Sequence, residues 1–238
     1  MLDAAKTLNK TLAKLAFDEP VTHVYNPLEY AFENYAQYVD RFGKPGKRAI
    51  FIGMNPGPWG MAQTGVPFGD AQMVRDWLGI RGHVGKPKKE HPKRAVLGFD
   101  CPRKEVSGSR LWGAIKAHYK TPDKFFERFF IANYCPLMFM EDTGRNRTPD
   151  RLLKAQREPL LAACDQHLLA VIDYLAPEMV VGIGGFAEER AKLVLEAAGR
   201  DDVAIGRILH PSPASPKANK DWVGTVKTEL SELGLCGA

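Results

Sequence analysis

The sequence predicts an α/β fold built on a central four-stranded parallel sheet with helices over both faces. Three observations predict it. Four short runs are apolar and rich in β-branched or aromatic residues, as strands buried on both faces are. Segments of helical periodicity separate them. No internal repeat or low-complexity linker divides the 238 residues, so they read as one domain, 1–238.

The elements follow in order. MLDAAKTLNKTLAKLAF places Leu8, Leu12 and Leu15 on one face of an N-terminal helix. A second helix spans Leu28 to Phe42 and stops at Gly43. RAIFIG (Arg48 to Gly53) is the first strand. Asp70 to Leu78 and Ser109 to Tyr119 read as helices, the latter with Leu111, Ala114 and Ile115 on one side. FFIAN (Phe129 to Asn133) is the second strand, followed by YCPLMFM and the polar loop EDTGRNRTPD. REPLLAACDQHLLAVIDYLAP is a long helix closed by Pro177. MVVGIG (Met179 to Gly184) is the third strand, FAEERAKLVLEAAG a helix ended by Gly199, and AIGRIL (Ala204 to Leu209) the fourth strand. ANKDWVGTVKTELSELG is the last helix.

Composition narrows the function. No apolar run is long enough to cross a membrane. The N-terminus lacks a secretory h-region. Cys101, Cys135, Cys164 and Cys236 are widely spaced with no CxxC, which predicts reduced thiols and a cytoplasmic protein without a metal site. The net charge of +5 suits a polyanionic partner. RGHVGKPKKEHPKR (Arg81 to Arg94) concentrates six Lys/Arg against one Glu. It reads either as a solvated loop or as a nucleic-acid backbone contact.

In a parallel sheet the segments following each strand gather at one edge, where open α/β folds bind ligands. Here they are Asn55-Pro56-Gly57-Pro58, Asn133-Tyr134-Cys135-Pro136, Gly182-Ile183-Gly184-Gly185-Phe186 and His210-Pro211-Ser212-Pro213. This set holds no carboxylate pair, no Ser–His–Asp spacing and no Walker loop. GIGGF reads as a tight turn. A planar amide, such as that of Asn55 or Asn133, matches a pyrimidine edge or holds a water; local turn capping is the plainer reading. Phe68 offers either a stacking face or core packing, and His210 either a donor or a structural imidazole. HPSPASPKANK (His210 to Lys220) has three alternating prolines, which predict a stiff extended loop that enters a groove or a rigid connector.

GMNPGPWGMAQTGVPFG, NYCPLMF and HPSPASPKANKDW resemble the single-strand-selective monofunctional uracil-DNA glycosylase (SMUG) family, within the uracil-DNA glycosylase superfamily; order and spacing agree from Arg48 to Trp222. The resemblance implies a three-layer α/β/α sandwich. It implies hydrolysis of the glycosidic bond of uracil and 5-substituted uracils, such as 5-hydroxymethyluracil, in single- and double-stranded DNA. No cofactor or metal, no membrane partner and no strand cleavage are implied. A monomer, nucleoid-associated in a bacterium, fits an enzyme that scans DNA.

Carried over by position, Asn55 places the attacking water and His210 stabilises charge on uracil O2. Met54, Gly57, Phe68 and Asn133 form the base pocket: Asn133 reads the pyrimidine edge, Phe68 stacks, and Gly57 leaves room near C5. A water held there would bond a polar 5-substituent and clash with the thymine methyl. Pro211, Ser212, Pro213, Ala214, Ser215, Pro216, Lys217 and Lys220 form the loop pushed into the duplex. Vertebrate members of the family carry arginine and asparagine at the positions of Ala214 and Ser215, so these small residues predict a stronger bias toward single strands. The first motif has asparagine where other branches have aspartate, so no carboxylate base is expected beside the water. A glycosylase for xanthine or hypoxanthine and a non-catalytic damaged-DNA binder are the alternatives.

Overall fold

The computed structural model describes residues 1–235; Cys236 lies outside them. In chain order the strands are β1 (His23–Tyr25), β2 (Ala49–Gly53), β3 (Phe129–Asn133), β4 (Met138–Met140), β5 (Asn146–Arg147), β6 (Met179–Ile183) and β7 (Ala204–Ile208). The longer helices are α1 (Leu2–Leu12), α2 (Phe32–Phe42), α3 (Val106–Tyr119), α4 (Lys154–Leu175), α5 (Gly185–Ala197) and α6 (Pro216–Glu232).

The four predicted strands form one parallel sheet in the order β3-β2-β6-β7. Every residue of β2 is buried, which is why AIFIG carries no polar position. The edge strand β7 alternates instead. Its Gly206 packs against Leu233, beyond the end of α6, while the exposed Arg207 pairs with Glu188 of α5 at 3.0 Å. Thus α5 and α6 cover opposite faces and complete a three-layer α/β/α sandwich. On the α5 side, α4 packs on α5 and α1 on α4. The other edge strand, β3, is covered by α2: buried Tyr38 donates to the Ile131 carbonyl at 2.8 Å. One continuous apolar core takes residues from Ala5 to Leu235.

Several local expectations change. The second helix is broken at Ala31 into Pro27–Tyr30 and α2, with Gly65 packed so close that a Cβ there would lie 2.5 Å from the Ala31 carbonyl. Val74–Leu78 winds as a π-helical turn after the short Ala71–Met73 helix. A second, antiparallel sheet, β1-β4-β5, runs through segments in which no strand is expected, its last strand within the polar loop EDTGRNRTPD. The extended stretch after His210 ends at Ser215, whose hydroxyl accepts from Ala218 N at 3.2 Å and caps α6. Pro216, Lys217 and Lys220 are therefore helical, with proline in the first turn, where its missing N–H costs nothing.

The core also holds a titratable group. His167 of α4 is buried, and the Ala4 carbonyl of α1 accepts from its ring while Nδ1 has no partner. Burial lowers its pKa from 6.5 to about 4; the Ala4 hydrogen bond opposes this and the N-terminal charge adds to it. Between those values the unfolded chain binds a proton that the folded chain does not. Stability is therefore full above pH 6.5 and falls as pH drops toward 4, by about 3 kcal/mol at the low end. Denaturant midpoints measured from pH 7.5 to 4 should show this slope, and His167→Gln should flatten it.

Candidate active site

The sheet register builds the site. Gly53 ends β2 directly beside Asn133 at the end of β3, and Ile183 pairs with Ile208 at the ends of β6 and β7. The chain after β3 keeps following the chain after β2: Tyr134 N donates to Gly53 O at 2.8 Å and Cys135 N to Met54 O at 2.9 Å. All four strand ends therefore open onto one edge. A cavity of about 450 Å³ lies there. Met54, Asn55, Gly57, Phe68, Asn133, His210 and Ser212 all line it.

Asn55 is fixed by its amide nitrogen, which donates to the Leu137 carbonyl at 3.1 Å. Its Oδ1 has no donor among the described residues and remains free to accept. Asn133 is held at its nitrogen end by Met61, whose thioether accepts from Nδ2 at 3.2 Å. A thioether has no proton to give, so this contact sets which end of the amide faces it. Met61 thus orients the Asn133 amide.

Phe68 has φ of +54°, in the left-handed region that a phenylalanine rarely adopts. Three neighbours impose it. A Cβ on Gly53 would lie 2.6 Å from the Phe68 ring and 2.6 Å from Asn133 Oδ1, so only glycine lets both side chains close over the strand end. A Cβ on Gly108 of α3 would overlap the Phe68 carbonyl. Buried Asp70 then ties this loop to α3, its Oδ2 accepting from Glu105 N and from Ser109 Oγ, each at 3.1 Å.

His210 faces Phe68 with ring centroids 6.1 Å apart. Burial lowers its pKa below 6.5, so the imidazole is neutral at pH 7 and offers one N–H. The preceding residue is held from α6 on both sides. Leu209 N donates to Glu229 at 2.7 Å, and Trp222 Nε1 donates to Leu209 O at 2.7 Å.

The loop after His210 divides. Pro211 is buried, while Pro213, Ala214, Pro216, Lys217 and Lys220 are exposed. The hydroxyls of Ser212 and Ser215 both accept from backbone N–H groups of this segment. Lys217 pairs with Glu229 at 3.7 Å. Arg110 of α3 holds the loop in place, donating to the carbonyls of Pro211 and Ser212 at 3.3 and 3.4 Å and to Asn219 Oδ1 at 2.8 Å.

Glu105 is the residue the sequence reading missed. It lines the cavity although it follows no strand. A Cβ on Gly57 would lie 2.7 Å from its Oε2 and one on Gly60 2.8 Å from its Cγ. The room expected beside Gly57 is therefore occupied by a carboxyl group, and the cavity is not free of carboxylates. Burial raises the Glu105 pKa, against hydrogen bonds from the backbone N–H groups of Trp59 and Ser107. The available signal was an acid immediately before a helix start. Asn146 and Thr148 of the β5 region also line the cavity, and Asn146 Oδ1 is buried without a partner. No group of three or more His, Cys, Asp or Glu side chains suited to a metal occurs among the described residues, and no helix there is long and apolar enough to cross a membrane.

The model of the uracil DNA glycosylase superfamily matches residues 41–230. The chain is 48% identical over 234 residues to the single-strand selective monofunctional uracil-DNA glycosylase of Rattus norvegicus, covering 98% of this chain and 84% of that one. It is 50% identical over 228 residues to the protein of the same name from Bos taurus, covering 96% and 84%. Its fold is similar to the crystal structure of SMUG2 from Pedobacter heparinus, with a TM-score of 0.66 at 17% identity over 97% of this chain and 96% of that one. The four-stranded sheet, the cavity at its carboxyl edge and these matches lead to one statement: the chain belongs to the uracil-DNA glycosylase superfamily.

Proposed function

We propose that this protein is a DNA-repair glycosylase. It hydrolyses the N-glycosidic bond of uracil and of 5-substituted uracils such as 5-hydroxymethyluracil, in single- and double-stranded DNA, and leaves the strand intact. The observation that carries this reading is the meeting of Asn55, Phe68, Asn133 and His210 around one cavity. It acts as one domain and as a monomer, in the cytoplasm and at the nucleoid of a bacterial source.

The target base is stacked in DNA and must be turned out, at a cost of a few kcal/mol that is smallest in single strands. Phe68 then stacks on the ring. Asn133 accepts from N3–H and donates to O4, a pattern that cytosine reverses. As the glycosidic bond breaks, positive charge develops on the sugar and negative charge on the departing base. A neutral His210 donating to O2 binds that charge more strongly in the transition state than in the ground state. Asn55 Oδ1 holds the water that attacks the sugar carbon. Beside C5, the Glu105 carboxyl, already held by the Trp59 and Ser107 N–H groups, offers a 5-hydroxymethyl group a hydrogen-bond acceptor that a thymine methyl cannot use.

Base release from single-stranded oligonucleotides carrying one uracil, 5-hydroxymethyluracil, hypoxanthine or xanthine tests the reading, with abasic sites revealed by alkali. The cavity volume has room for a purine, so purine lesions belong in the panel. Wild type should release uracil, and Asn55→Ala and His210→Ala should each lower the rate roughly 100-fold or more. Release of purines without uracil would move the assignment to those bases, and tight binding with no release would make the protein a binder.

Two further variants probe the wall of the pocket. Gly53→Ala should stay folded yet lose at least about tenfold in kcat/KM for uracil, because its methyl must displace Asn133 and Phe68. Activity within twofold of wild type, with an unchanged Tm, would show that the close approach is dispensable. Glu105→Ala should lower the ratio of 5-hydroxymethyluracil to uracil release by about tenfold, the worth of one hydrogen bond to a carboxylate. An unchanged ratio would remove Glu105 from recognition of the 5-substituent.

A further inference from the structure

Trp59 lies between Gly57 and Gly60, both of which line the cavity. Two guanidinium groups sit over its indole: Arg94 at 5.2 Å and Arg103 at 5.6 Å from the ring. Arg94 is the last residue of the basic segment Arg81–Arg94. Arg103 belongs to the stretch leading into Glu105. Lys93 and Lys104, both exposed, lie next to them in the chain. None of these four side chains has an ion-pair partner among the described residues. Uncompensated positive charge thus gathers beside the cavity wall.

The group is also built rigidly. Buried Gln63 donates to Pro58 O at 2.9 Å and to Ala95 O at 3.0 Å, so one side chain ties the residue before Trp59 to the residue after Arg94. The other end of the same amide accepts from Leu97 N at 2.8 Å and Gly98 N at 3.2 Å. Buried Tyr25 secures the basic segment again: its hydroxyl accepts from His91 N at 2.6 Å and donates to Arg94 O at 2.9 Å. A solvated loop does not need its end fixed by two buried side chains. Arg94 donates from Nη1 to the Lys93 carbonyl at 2.9 Å, and a guanidinium placed over an indole retains further N–H donors that match phosphate oxygens.

We infer that Arg94 and Arg103, held over Trp59, form a phosphate clamp for the DNA backbone next to the extruded nucleotide. This rests on the glycosylase reading and extends it, because it assigns the end of the basic segment to the strand flanking the target base. Trp59 is a positioning residue: it orients the guanidinium groups and touches no reacting atom. Since ordering has been done in advance, each phosphate contact costs little rotamer entropy on binding.

The test measures binding and kinetics of the full chain on labelled single-stranded oligonucleotides with one uracil, across a salt series. The variants are Arg94→Gln, Arg103→Gln, their double, and Trp59→Leu. A Lys10→Gln/Lys14→Gln double removes the same charge from exposed positions on and just after α1. In the arginine double, Kd and KM should rise roughly tenfold with kcat within twofold. The slope of log K against log salt should fall by about 0.7 per arginine removed. Trp59→Leu should raise KM with the slope retained. Oligonucleotides truncated from either end should reveal one side on which removing phosphates costs wild type as much as the arginine double, and costs that double nothing further. An unchanged salt slope in the arginine double would overturn the clamp, as would an equal loss in the lysine double. The binding arm reads the clamp even if no base is released, so failure of the chemistry and failure of the clamp are separate results.

Discussion

The site depends on how closely three pieces of backbone approach one another at the end of β2. Gly53 carries no side chain, so the Asn133 amide and the Phe68 ring both close over it. Gly108 carries none, so α3 seats against the Phe68 carbonyl. A phenylalanine at φ +54° persists only where its surroundings over-determine it. Here the surroundings are a central strand, a helix and the buried carboxylate of Asp70 that joins them. The ring proposed to stack on a base is therefore mounted on the core, and its orientation does not have to be won from a mobile loop when substrate arrives. The same packing delivers Glu105 to the cavity, because Asp70 anchors its backbone N–H.

His210 solves the matching problem on the other side of the cavity. It needs to be neutral, dry and aimed. Burial supplies the first two, since desolvation disfavours the imidazolium. Aim comes from α6, whose Trp222 and Glu229 hold both backbone groups of Leu209. Glu229 thus touches both the backbone before His210 and Lys217. The same helix that covers one face of the sheet also places His210, the group proposed to stabilise the leaving base. Changes in α6 packing would reach the chemistry through the backbone, without contact with substrate.

Much of this was legible in the sequence, for physical reasons. The central strands AIFIG and MVVGI are buried on both faces, and the edge strand FFIAN is covered by α2, so all three read as apolar runs. Parallel strands bring their following segments to one edge, so Asn55, Asn133 and His210 could be gathered before any coordinates. Residues whose partners are backbone atoms were not legible. Gln63, Arg110 and Glu105 act through carbonyl and N–H groups, which every residue type possesses and no spacing reveals. The strands β1, β4 and β5 are two or three residues long and carry no period. Ser215-Pro216 was read with its neighbours as extended chain, yet serine followed by proline is equally a helix cap and first turn. Local signals of that kind are decided by what lies downstream, here the apolar face of α6.

Two irregular segments beside the cavity are held by the same kind of device. Arg110 grips the carbonyls of Pro211 and Ser212, and Gln63 grips those of Pro58 and Ala95. In each case a side chain from the scaffold donates to the backbone of an irregular segment and removes its freedom before DNA is bound. The segments differ in what they present. The loop at Pro213-Ala214 shows small, exposed, uncharged residues, poorly suited to filling the gap left by an extruded base. The segment at Trp59, Arg94 and Arg103 shows unpaired positive charge beside the cavity. A protein that grips backbone strongly and plugs a duplex weakly gains most from a strand whose base is already unstacked, because little energy has to be recovered from the vacated stack. Under the proposed function, the balance between these two rigid segments would be a structural source of single-strand preference, outside the pocket assigned to the base.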